Sequence, residues 1–200
     1  MIRSLRSCSP RSMVRTAMEY TVKRSKRKTI GIEVTPEGLL VRAPLRSTTA
    51  DIERALHKHR RWIDSHMQKL EREMETARDA GLLAPEDLRA LARQAKAYLP
   101  ERVAYYEPLI GVHAGRVTIR TQKSRWGSCS SKGNLNFNCL LMLTPPEVID
   151  SVVVHELCHL KEMNHSQRFY DEVYRVYPEY DKWHRWLSDH GGAIMKRVQR

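Results

Sequence analysis

The 200-residue sequence contains no apolar run approaching the roughly 20 residues that a helix needs to cross a bilayer, so a membrane-spanning protein is excluded. Its four cysteines (Cys8, Cys129, Cys139 and Cys158) form no C-x-x-C pair, which favours reduced thiols and a cytoplasmic setting over a disulfide framework. No internal repeat or low-complexity segment occurs beyond the N-terminal tail. The first 18 residues have no acidic side chain and no apolar central stretch. That composition excludes a secretory signal and is shared by mitochondrial transit peptides, by a disordered basic extension, and by a chain whose true start is Met13 or Met18. We read residues 1–19 as a basic, disordered extension.

Positive charge is present in excess but unevenly. Residues 1–30 carry nine Lys or Arg against one acid, Glu19, so they hold eight of the twelve net positive charges of the chain. Such end-loading offers contact with nucleic acid or another polyanion, although a solvated basic tail explains it equally well.

From Thr29 the pattern becomes alternating. Ile30, Ile32 and Val34 are apolar, Pro36-Glu37-Gly38 supplies turn chemistry, and Leu39 to Val41 resume, which predicts a β-hairpin. Thr48, Thr49 and Asp51 then precede an apolar stripe of Ile52, Leu56, Ile63, Met67, Leu70 and Met74, predicting one long amphipathic helix that ends at Gly81. Pro85 opens a second, with Leu88, Leu91, Ala92, Ala95 and Leu99, and Pro100 is expected to kink it or begin a new turn. These stripes are core, and His57, His59 and His66 on the first helix are surface residues. The hairpin and helices make a region over 20–112. After it, short strands are expected at 116–121 and 134–138, separated by a Ser- and Gly-rich turn in which Trp126 is a buried anchor.

The chemistry lies within the remaining segment, 113–200. Thr144 as N-cap, Pro145 at the first helical position and Glu147 in the capping box predict a helix to about Leu160. It carries His155-Glu156-Leu157-Cys158-His159. Four residues turn a helix through about 400°, so both imidazoles project to one side and can grip one ion, with Glu156 beside them to take a proton from a metal-acidified water. Zinc suits imidazoles and an open fourth position. Cys158 points about 100° from His159 and belongs to the core. A third ligand is needed. His165 follows a predicted helix break near Asn164, with Ser166 capping the next helix, whose Phe169, Val173 and Val176 pack inward. Glu172 or Glu179 is the alternative, without the positional argument. A metzincin is disfavoured because Glu162 stands where that class has glycine, and because Met195 lies too near the C-terminus for its Met-turn.

Taken together, Val41-Arg42-Ala43-Pro44, Arg60-Arg61-Trp62-Ile63, Ser124-Arg125-Trp126-Gly127-Ser128-Cys129, and the 155–160 motif followed by Asn164-His165-Ser166 and Phe169 resemble the YgjP-like metallopeptidase family, relatives of the SprT-like zincins. The resemblance runs from about Tyr20 to His190. It implies an α+β fold with a zincin-like core, an HExxH helix against a small sheet, joined to the hairpin and two long helices. It also implies one zinc ion on His155, His159 and His165, with Glu156 as acid/base.

Three functions follow in order of preference. The first is peptide or protein hydrolysis, with Arg125, Tyr170, Tyr174 and His184 as candidate oxyanion donors. The second is hydrolysis of a nucleoside triphosphate such as UTP, an activity also assigned to family members, with Arg120, Lys123 and Arg125 on the phosphates. No Gly-rich phosphate loop or Mg²⁺ carboxylate cluster supports it. The third is nucleic-acid binding around a structural zinc, which leaves Glu156 unexplained.

Overall fold

A computed structural model describes residues 20–122 and 124–198, so the N-terminal extension and Lys123 lie outside the described residues. Two compact units are distinguished, one ending at Met67 and the other starting at Gln68.

In the first unit, strands β2 (Gly31–Thr35) and β3 (Gly38–Pro44) pair antiparallel. Pro36 and Glu37 connect them, and Gly38 takes φ 118°, a conformation that L side chains rarely adopt. A strand the alternation did not reveal, β1 (Tyr20–Ser25), adds parallel to β3, giving the order β1-β3-β2. Its sequence YTVKRS carries two basic residues, Lys23 and Arg24, and only Tyr20 and Val22 turn towards the core of Leu39, Val41, Ala43, Ile52, Leu56 and Ile63.

The expected first helix is divided. Helix α1 (Thr49–Lys58) opens with a capping box between Thr48 and Asp51, and α2 (Arg60–Asp79) follows after a break at His59. His59 has φ −101° and ψ 14°, yet its N–H still reaches Ala55 O at 3.1 Å. The break therefore interrupts helical geometry for one residue and costs little hydrogen bonding. No Gly or Pro marks it in the sequence. His57, His59 and His66 are exposed.

In the second unit α3 (Pro85–Ile110) runs for 26 residues and ends at Gly111, whose φ is 77°. Pro100 lies inside it and begins no new turn. The buried residues Leu91, Ala95, Leu99, Val103, Tyr106 and Ile110 continue one stripe across the proline, and that burial outweighs the lost backbone hydrogen bond. The second sheet has the order β4-β6-β5: β4 (Val117–Arg120) is parallel to β6 (Leu135–Asn138), and β5 (Gly127–Cys129) is antiparallel to it. A 3₁₀ turn, Cys139–Leu143, leads into α4 (Pro146–Cys158), followed by α5 (Gln167–Val176) and α6 (Tyr180–Lys196).

Helix α4 packs against α3, α5, α6 and β5. Val148, Ile149, Val152, Val153, Val154, Leu157 and Cys158 are all buried. So many β-branched residues are poor helix formers, so the helix owes its stability to burial. Thr144 does not cap it. Its hydroxyl donates to Leu141 O at 2.8 Å, closing the 3₁₀ turn, and Pro145 takes the cap position.

Asp150 on α4 accepts two hydrogen bonds from Arg102 on α3, from Nε at 2.7 Å and Nη2 at 2.9 Å, with both side chains largely removed from solvent. Breaking this bidentate pair leaves a sequestered charge, whereas the exposed Arg89–Glu86 pair, at 2.8 Å, is screened by water. Asp150→Ala is expected to lower unfolding stability by about 2 kcal/mol and Glu86→Ala by no more than about 0.5 kcal/mol, read as shifts in the urea midpoint at constant slope.

Candidate metal centre

The last turn of α4 carries His155 and Glu156, and His159 is its C-cap. Helical geometry ends at Cys158, two residues earlier than expected, and Leu160, Lys161 and Glu162 close a turn onto the carbonyls of Leu157 and Cys158. That turn reverses the chain so that His165 returns beside the helix end. Ser166 occupies the cap position of α5 but makes no capping hydrogen bond, and its buried hydroxyl has no partner. The reversal is held instead by Glu172 on α5, which bonds Lys161 at 2.6 Å and Arg175 at 2.6 and 3.0 Å. Those hydrogen bonds, outweighing its own desolvation, draw its carboxyl down to about 2.

Three imidazoles converge there. Nε2 of His155 lies 3.2 Å from Nε2 of His159 and 3.1 Å from Nε2 of His165, and one ring nitrogen from each residue lies within 4.8 Å of the others. Nitrogens sharing a tetrahedral zinc at 2.0–2.1 Å are roughly 3.3 Å apart, so the donor set fits such an ion. The opposite nitrogens are engaged elsewhere. Nδ1 of His159 is 3.1 Å from Glu162 O, and a carbonyl only accepts, so the proton sits on Nδ1 and Nε2 keeps its lone pair. Nδ1 of His155 is 2.8 Å from the Tyr180 hydroxyl. Phe169, fully buried, supports all three rings with centroids 4.9, 4.6 and 4.9 Å from those of His155, His159 and His165.

Burial dominates the electrostatics. It pushes His155 down to about 3, assisted by the neighbouring His159, His165 and His184, and it lowers His159 as well. Both are therefore neutral imidazoles at pH 7, the protonation state a metal ligand requires. Burial also pushes Glu156 up to about 7, opposed by the charge of Arg125 and by a hydrogen bond from the Cys129 backbone. A carboxyl so poised can take or give a proton near neutrality.

Of the alternative ligands, Glu172 is held by Lys161 and Arg175, and Glu179 pairs with Lys182 at 3.2 Å. Cys158 is fully buried in the core. Among the candidate oxyanion donors, Arg125 and His184 line a cavity of about 220 Å³ with Glu156 and His155, whereas Tyr174 gives its hydroxyl to Asp181 at 2.8 Å. Tyr170 stands 6.3 Å from His165, ring centre to ring centre. Arg120 lines a different hollow, with Lys96 and Arg116. Arg120 and Arg125 thus do not share a phosphate cradle, and Lys123 lies outside the described residues. Sequence reading missed Tyr180, the partner of His155. Nothing in its spacing marks it, since it arrives from α6, 25 positions downstream.

The chain belongs to the YgjP-like metallopeptidase-domain family, whose profile matches residues 28–89 and 87–190. Among solved structures it is similar to the metallopeptidase zymogen of Pyrococcus abyssi abylysin, at 24% identity and a TM-score of 0.41, over 45% of this chain and 92% of that one. It is also similar to the metallopeptidase zymogen of Methanocaldococcus jannaschii jannalysin, at 21% identity and a TM-score of 0.41, over 45% and 93%. No curated protein matches the chain.

Gly127 on β5 abuts the catalytic-candidate carboxylate: a Cβ there would stand 2.5 Å from Glu156 Oε1 and 2.6 Å from its Cγ. Gly127→Ala must move Glu156, to which all three of the nearest atoms belong. Peptide hydrolysis is expected to fall ~10²-fold, with bound metal per chain unchanged in the same preparation.

Proposed function

We propose that the chain is a zinc-dependent metallopeptidase in which His155, His159 and His165 hold one zinc ion and Glu156 is the general acid/base. The observation that carries this reading is the convergence of three Nε2 atoms beside a buried carboxylate whose proton affinity is raised to about 7. The zincin-like core is read as α4 set against β5 and its sheet.

Zinc held by His155, His159 and His165 would supply Lewis acidity for activating water. The residues of the chain do the rest. Glu156 accepts the proton of the attacking water and returns it to the leaving amine, for which a carboxyl near neutrality is matched. Tyr180 and the Glu162 carbonyl orient the two α4 imidazoles so that their Nε2 lone pairs face one point. Phe169 excludes water from the inner side of all three rings. A nucleotide pyrophosphatase finds less support, because Arg120 and Arg125 line separate hollows. A structural zinc is disfavoured because a closed site needs a fourth protein ligand, and the cluster holds three among the described residues.

Purified chain is expected to contain one zinc and to degrade unfolded protein. Glu156→Gln should keep the zinc and lose ~10²–10⁴ in rate. Pyrophosphate release from UTP that depends on Glu156, without proteolysis, would overturn the peptidase reading. His165→Ala with full zinc occupancy would refute the third ligand.

Tyr180→Phe removes one hydrogen bond to His155 while keeping the ring. Zinc affinity, measured by chelator competition, should weaken ~10–100-fold, and an unchanged affinity would deny Tyr180 its orienting role.

A further inference from the structure

We propose that the cavity of about 220 Å³ beside Glu156 is the subsite for an acidic side chain of the peptide substrate, adjacent to the bond that is cut, and that Arg125 and His184 select it. The inference rests on the peptidase reading and names what that site prefers.

The cavity is bounded by the Ser124–Gly127 segment, by Ser151 and Val152 of α4, and by Tyr180, His184 and Leu187 of α6. Its apolar walls, chiefly Trp126, Val152 and Leu187, suit the methylenes of a side chain. Most of its polar groups are already committed. The Ser151 hydroxyl donates to Val148 O at 2.7 Å, and the Tyr180 hydroxyl is shared between His155 at 2.8 Å and His184 Nδ1 at 3.3 Å. Two donors remain. The Arg125 guanidinium and Nε2 of His184 have no hydrogen-bond partner among the described residues, although Arg125 acts through space on Glu156.

Arg125 is also held in place from beneath. The side chain of Asn138, fully buried, donates through Nδ2 to Gln122 O at 2.7 Å and to Arg125 O at 3.0 Å, and its backbone N–H donates to Trp126 O at 2.8 Å. Trp126 in turn lies so close to α6 that a Cβ on Gly191 would stand 2.9 Å from its ring. The backbone of the loop is therefore fixed on both sides of Arg125, while the Arg125 side chain stays exposed. A guanidinium with open donors on a fixed backbone can pair with a carboxylate bidentately, and an imidazole N–H adds a second contact. Size favours a carboxylate over a nucleotide, since about 220 Å³ falls below the roughly 300 Å³ at which cavities begin to enclose drug-sized ligands.

The test is cleavage of a random peptide library by the zinc-loaded full chain, with products sequenced by mass spectrometry. Asp and Glu should be enriched at least ~10-fold at one position flanking the cut, Arg125→Glu should replace them there with Lys and Arg, and His184→Ala should weaken the preference. Glu156-dependent cleavage without acidic enrichment, or a profile unmoved by Arg125→Glu, overturns the subsite and leaves the peptidase reading intact. Absence of Glu156-dependent cleavage overturns that reading instead. The subsite is then decided by equilibrium binding of fluorescent Glu- and Gln-containing peptides to the Glu156→Gln protein. A Glu preference of at least ~10-fold that Arg125→Ala abolishes supports it. Equal binding of the two peptides, or tighter binding of UTP lost in Arg125→Ala, overturns it.

Discussion

The candidate centre depends on one side chain that performs no chemistry. Phe169 lies fully buried at the start of α5 and stands within 5 Å, centroid to centroid, of all three imidazoles. It is at once a core residue and the common wall behind the histidines. Through it, the placement of His165, which lies outside any helix, is tied to the packing of α5 against α4. Without such a wedge the 159–166 turn would position His165 only through its own backbone, and loops hold geometry less well than packed elements.

The same burial that supports the rings sets their acid–base character. His155 and Glu156 are adjacent on one helix, and desolvation moves both towards the neutral form, the imidazole downward and the carboxyl upward. One physical cause thus yields a neutral imidazole and a carboxyl poised near neutrality. The apolar run of α4 is what supplies it, because a helix covered on so many sides leaves even the polar residues of its last turn largely buried. Arg125 and the Cys129 backbone moderate the effect on Glu156, keeping the carboxyl within reach of neutrality.

Much of this was legible in the sequence, and the reasons are local. The HExxH spacing needs nothing but helical geometry to bring two rings together, and the Asn164-His165-Ser166 stretch announces a reversal. The inward stripe of α5 is also readable, since Phe169 and Val173 lie four residues apart. What escaped were features decided at long range or by packing. Strand β1 hides in a basic segment because only Tyr20 and Val22 need be apolar at a sheet edge. Pro100 passes unnoticed through α3 because six buried residues hold that helix. The break at His59 has no compositional mark. Strand β5 lies within a Ser- and Gly-rich stretch that reads as turns, yet its glycine is there to admit Glu156, and that close approach exists only once α4 has docked. Tyr180 was equally hidden, its role created by the meeting of α6 with α4.

The segment 124–129 therefore combines positions under opposite constraints. Gly127 is confined by Glu156, Trp126 by Gly191, and the carbonyls of Arg125 and Trp126 by Asn138. The side chains of Ser124 and Arg125 meet no such confinement and extend into solvent. Substitution in this segment therefore acts in two ways: a change at 127 displaces Glu156, while one at 125 alters both the charge that Glu156 feels and what approaches it. Retuning the candidate site at Arg125 would therefore trade recognition against the acidity of its carboxyl, whereas Ser124 is the exposed position of the loop that brings no such charge.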